Sequence, residues 1–168
     1  MIINGHGLTY ELKCYHLDGT LGWKAAATNT LTAVALRLML GGFFRNDALP
    51  EAFYLGLSDT SINEGIQILE PSFNYSRVRV PRGPEFWGEI ELEAPFALTK
   101  GRECQFNNSH QVNKWDRRVG ALFLSTEPTG GELLSWAPLR ETARNGSREV
   151  FPGDTIVVKA VVSLRSDL

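Results

Sequence analysis

Residues 119–139 read VGALFLSTEPTGGELLSWAPL, and this stretch constrains the fold more than any other. GALFLS is a short apolar run that Pro128 keeps from continuing, and Gly130-Gly131 stands just ahead of a second run, ELLSW. Glycine adopts positive φ without steric penalty, so the pair marks the reversal between two strands of a hairpin. A second such unit occupies residues 151–164, where Pro152-Gly153-Asp154 opens the β-branched run TIVVKAVVSL. Long apolar strands at the C-terminal end need pairing partners, and the upstream chain has to pack on them.

That upstream chain supplies more of the same. LTYELKCYH alternates apolar and polar residues, Asp18-Gly19 is a strong turn signal, and LGWKAA follows, which predicts a hairpin over residues 8–25. Asn29 or Thr30 is then placed to cap a helix over residues 30–41, in which Leu31, Val34, Ala35 and Leu38 recur at helical spacing and Gly41-Gly42 provides the stop. Leu36, Met39 and Leu40 make the other face apolar too, and a helix of that kind is expected between layers or against a neighbouring subunit. AFYLGLS reads as a buried strand before the polar loop DTSINEG. SRVRV (residues 76–80) and EIELE (residues 89–93) alternate as strands, the latter with Ile90 and Leu92 on one face and Glu89, Glu91 and Glu93 on the other. Between them PRGPEFWG reads as a loop with Phe86 and Trp87 tucked under it, and residues 104–108 read as one more short strand. About eight or nine strands at hairpin spacing with one short helix near the N-terminus predict a mainly β chain, an antiparallel β-sandwich forming a single domain over residues 1–168.

Composition narrows the function. A chain of 168 residues buries roughly 70% of its unfolded surface in one domain. A net charge of −2 and a pI near 5.9 supply no basic field for nucleic acid. The apolar stretch over residues 31–40 falls short of the ~20 residues a membrane span needs, and MIINGHG has no basic-then-apolar leader, so a soluble protein made in a cytoplasm is expected. Cys14 and Cys104 are far apart and lack a CxxC or Cys/His ligand spacing, which reads as two buried thiols.

The residues that could carry chemistry do not converge. Glu89, Glu91 and Glu93 read as a solvated strand face, and His6, His16 and His110 are scattered. Cys14 and His16 share one strand face and come nearest to a metal pair, without a third ligand. GxSxG, GxxxxGK[ST] and GxGxxG are all missing, so no catalytic, cofactor-binding or metal residue is assigned, and a non-enzymatic protein without a cofactor is expected. Trp115 with Asp116-Arg117-Arg118 reads first as a local packing and salt-bridge cluster, and second as a binding patch. Because arginine and aromatic side chains are enriched at protein interfaces, Arg77, Arg79, Trp115, Arg117 and Arg118 are the candidate interface residues.

Read in order, YELKCYHLDGTLGWKAAATNTLT, AFYLGLSDTSINEG, EPSFNYSRVRVP and the closing VGALFLSTEPTGGELLSWAPL with FPGDTIVVKAVVSL resemble structural proteins of tailed-bacteriophage virions, of the tail-fibre-like and head-decoration β-sandwich type. The resemblance covers most of the chain and rests on the order and spacing of the pieces, while PRGPEFWGEIELEAPFALTKGRECQF departs from it. It implies a capsid decoration or cement protein, or a small tail or fibre component. Such a protein is assembled in the host cytoplasm, forms a homo-oligomer, in this case a trimer, and contacts major capsid or tail proteins rather than nucleic acid or membrane. A carbohydrate- or receptor-binding sandwich module, with an exposed Trp87 or Trp115 as its platform, is the competing reading, and a hydrolase the third.

Overall fold

The computed structural model describes residues 7–58, 70, 75–93, 96–107, 118–139 and 148–165. Its strands are β1 (Gly7–Tyr15), β2 (Leu21–Thr28), β3 (Thr30–Leu31), β4 (Ala52–Ser58), β5 (Val78–Pro81), β6 (Glu91–Glu93), β7 (Phe96–Asn107), β8 (Arg118–Val119), β9 (Ala121–Ser125), β10 (Leu133–Pro138), β11 (Arg148–Glu149) and β12 (Thr155–Arg165), with one helix, α1 (Ala33–Phe44), among the described residues. Two five-stranded antiparallel sheets form, in the orders β2-β1-β12-β7-β6 and β3-β10-β9-β4-β5, and β11 pairs with β8 as a short ribbon. The mainly β, antiparallel class expected from the strand spacing is what the chain adopts.

The two C-terminal stretches that dominate the sequence hold the middle of each sheet. β12 is the third of five strands in the first sheet, flanked by β1 and β7, and β9 is the third of five in the second, flanked by β10 and β4. Period-two alternation turns Leu8, Tyr10, Leu12 and Cys14 of β1, and Ile156 and Val158 of β12, into a shared core with Leu55, Leu57 and Leu122 from the second sheet. β12 changes phase midway: Ala160 and Val161 are both buried, where the register against β7 shifts between Lys159 and Val161, as a bulge requires.

Helix α1 differs from the expected residues 30–41 at both ends. Thr30 and Leu31 extend as β3 along β10, and Asn29 is drawn away from capping because its Oδ1 accepts from the Leu8 N–H (2.8 Å). Thr32 takes the cap, its Oγ1 accepting from the Ala35 N–H (3.2 Å) and donating to the Leu133 carbonyl (2.8 Å). Gly41-Gly42 does not stop the helix. The chain beyond it folds back over both glycines, so a Cβ on Gly41 would lie 2.6 Å from Asp47 Oδ2 and one on Gly42 would strike Leu49. The actual stop is Asn46 at φ 57, with the Arg45 and Asp47 N–H groups both donating to the Gly41 carbonyl (3.0 and 3.1 Å).

Two central strands also depart from expectation. β7 runs for 12 residues from Phe96, not from residue 104, because Gly101 makes room for Phe86 and the ladder carries on past it. β6 is an edge strand of 3 residues, so Ile90 beside it and Leu92 within it stay exposed despite the alternation that gives them a common face. Phe86 is buried and Trp87 half-buried under the loop, as the sequence suggests.

Candidate functional site

Three places concentrate side-chain chemistry or bare apolar surface. At the first, the Phe151-Pro152-Gly153-Asp154 turn leads into β12: the Asp154 N–H donates to the Phe151 carbonyl (3.0 Å), and the Asp154 carboxylate accepts from the Phe151 N–H (2.8 Å). From the neighbouring β1 strand Cys14 Sγ donates to Asp154 Oδ2 (3.6 Å), and just past the strand's end His16 Nδ1 lies 3.0 Å from Asp154 Oδ1. The sequence brought out Cys14 and His16 but not Asp154, whose signal was the Pro-Gly-Asp turn read only as a strand opener. Burial pushes the Cys14 thiol up to about 12, and the Asp154 charge adds to it. A nucleophilic cysteine needs the reverse environment, so this thiol is held protonated and serves the turn. Among the described residues no group of three or more His, Cys, Asp and Glu side chains is arranged to hold a metal ion.

The second place is Arg77, the first of the candidate interface residues. Its guanidinium is almost fully covered and pairs fork-to-fork with Glu70 (Nε to Oε1 2.9 Å, Nη2 to Oε2 2.8 Å). Nη1 donates to Ser125 Oγ (2.8 Å) and to the carbonyls of Glu127 (2.8 Å) and Gly130 (2.6 Å), which ties the hairpin turn between β9 and β10 to the segment ahead of β5. The same group sits 4.9 Å above the Phe123 ring. Arg77 therefore spends its donors inside the chain. Arg79 is exposed on β5, at the edge of the second sheet, and Arg118 is exposed on β8, opposite Glu149. These three are not brought together into one patch by strand pairing. Trp115 and Arg117 lie outside the described residues, as do His6, His110 and the DTSINEG loop.

The third place is α1, whose apolar residues on both faces predict a position between layers or against a neighbouring subunit. One side, through Ala35 and Leu38, faces β10 and a cavity of about 300 Å³ walled by Leu31, Leu49, Phe53, Trp87 and Val162 among others. On the other side Leu36 is 49% exposed, Leu40 58%, Phe43 83% and Phe44 74%, and at the rim between the two sides Met39 is 47% exposed and also lines the cavity. Phe43 and Phe44 touch edge to face, ring centroids 4.9 Å apart, and so leave their outer surfaces to solvent. Covering on more than one side, expected for a helix apolar all round, is thus not achieved by the described residues. Arg37 is the one charged residue in the helix, with no acid in its first turn and no base in its last. Twelve residues are too few to cross a bilayer, and among the described residues no helix is long and apolar enough to do so.

Scans of the chain against protein-family models and against curated proteins return no match.

Proposed function

We propose that this protein is a structural component of a tailed-bacteriophage particle, a capsid decoration or cement protein or a small tail or fibre component, and that it acts by protein–protein assembly as a homo-oligomer of three. The order of sequence pieces that resembles such proteins supports the particle setting. What carries the assembly part is the outward face of α1, where five large apolar side chains stand in solvent on one short helix. A contiguous exposed apolar patch of that kind on a soluble protein is often functional, and a protein–protein contact is one of the roles such patches mark. In this reading the protein is not an enzyme and holds no cofactor. The buried, protonated Cys14 and the Arg77 clamp are parts of the scaffold.

A carbohydrate-binding module would need a bare aromatic platform beside convergent polar groups. Trp87 does not offer one, since it is half-buried, packs edge to face on Phe86 (5.2 Å) and turns to an apolar cavity. Quantitative mass spectrometry of purified particles from a phage encoding this chain tests the proposal. A fixed copy number relative to the shell or tail protein is expected, with a high ratio indicating decoration and a few copies indicating the tail. Absence from washed particles would overturn it.

A further inference from the structure

We infer that the outward face of α1 is the surface through which copies of this chain associate, and that what covers it is α1 of another copy. The inference rests on the assembly reading above and names its contact surface. Leu36, Leu40 and Phe43 are spaced by four and three residues, so their side chains line up as a seam along one side of the helix, with Met39 and Phe44 flanking it. That interval is the one by which helices pack lengthwise on each other, knobs of one between side chains of the next.

Area points the same way. With an aromatic side chain carrying about 150–250 Å², the observed exposures leave roughly 600 Å² of apolar surface bare, at the upper limit for a patch on a free monomer. A stable interface takes about 800 Å² from each partner, so the seam and its rim supply most of one half. Charge selects the occupant. A strongly charged partner would meet little complementary field, because the charges beside the seam are few, Arg37 on the helix and an exposed Arg45–Asp47 pair (3.7 Å) beyond its end. A membrane-surface helix would set several Lys or Arg residues opposite its apolar face, and this one does not. The seam of Leu36, Leu40 and Phe43 carries no charge of its own, Arg37, Arg45 and Asp47 lying to one side of it along a groove shared with Leu36, Leu40 and Phe44, and symmetric closure around an axis beside Leu40 buries every copy's seam alike.

The test uses the full chain. Wild type and a Leu40→Glu/Phe43→Glu double variant are compared by sedimentation at micromolar concentration, with circular dichroism and thermal melting to show that both fold. A Leu40→Cys variant is then oxidised, which is clean because the native Cys14 and Cys104 are buried. Expected are an oligomeric wild type, a shift of the double variant to monomer with an unchanged fold, and a disulfide-linked pair from Leu40→Cys. If the double variant stays oligomeric, this inference is overturned while the assembly reading stands. A wild type that is monomeric in solution overturns the inference, whether or not it sediments with lipid vesicles. If it is also missing from particles, the assembly reading falls with it.

Discussion

Phe123 and Phe43 are both carried on a face turned away from the main core, yet Phe123 is fully buried and Phe43 is 83% exposed. Around Phe123 the chain has built its own cover. Gly56 on β4 leaves room beneath the ring, Leu133 and Trp136 pack beside it, and the Arg77 guanidinium closes over the top, held by Glu70 and two turn carbonyls. Beside Phe43 the described residues place the ring of Phe44, itself exposed. An aromatic ring on the outside of an element is thus not by itself an interface. The difference lies in the cover: β9 has a lid built by the chain, and the described residues place none over the outer rings of α1.

The sharpest way to break this comparison is to remove the rings. Phe123→Ala should cost about 3–5 kcal/mol of unfolding free energy, since it leaves a cavity under a fixed arginine, whereas Phe43→Ala should stay within about 0.5 kcal/mol when both are measured by urea titration at dilution. Equal costs would mean that the contrast in burial has no energetic counterpart. Next in size is the lid. Arg77→Ala should cost about 2–3 kcal/mol by stranding the turn carbonyls and Glu70, and Arg77→Lys should recover less than half, because an ammonium cannot reproduce the fork. Gly56→Ala comes third, at about 1–3 kcal/mol, since its Cβ would sit 2.6 Å from Phe123 Cε1 and the ring is held from above.

An alkaline titration sharpens the same picture at the core of the first sheet. Burial pushes the Cys14 thiol up to about 12 from 9.0 and the Cys104 thiol up to about 11. Both folded-state values lie above the unfolded ones, so the unfolded chain releases these protons first. The stabilisation is complete below about pH 9 and is lost as pH rises through the folded values. Thermal midpoints should therefore decline above about pH 9, and less so in a Cys14→Ala/Cys104→Ala variant referred to its own neutral-pH value. A wild-type midpoint flat to pH 11 would count against a closed core.

Much of the architecture is legible in sequence because strands announce themselves locally. The alternation in LTYELKCYH, the Asp18-Gly19 and Gly130-Gly131 turns and the β-branched run after Asp154 all fix an element from its own residues. Helix α1 was legible in pattern but not in limits. Its cap was decided by a strand pairing 106 residues away, Thr30 with Trp136, and its stop by a chain reversal at Asn46 instead of the glycines. Strands of two residues such as β3, β8 and β11 have too little pattern to be seen at all. Site residues fared by the same rule. Arginine type marked Arg77 as a contact residue, but the Glu70 partner and the carbonyls of a turn some 50 residues on decide where its donors go. Exposure of Leu36, Leu40, Phe43 and Phe44 was beyond the sequence, because an apolar side chain looks the same there whether the fold covers it or leaves it bare.

Sedimentation equilibrium of the wild-type chain over a dilution series from high micromolar to nanomolar concentration addresses the central claim, that α1 carries a face finished only by another copy. The account predicts an oligomer at the top of the series, three copies by the proposed reading, dissociating to monomer on dilution with no loss of β structure. A monomer at every concentration, with α1 and its five bare side chains stable in water, would contradict it.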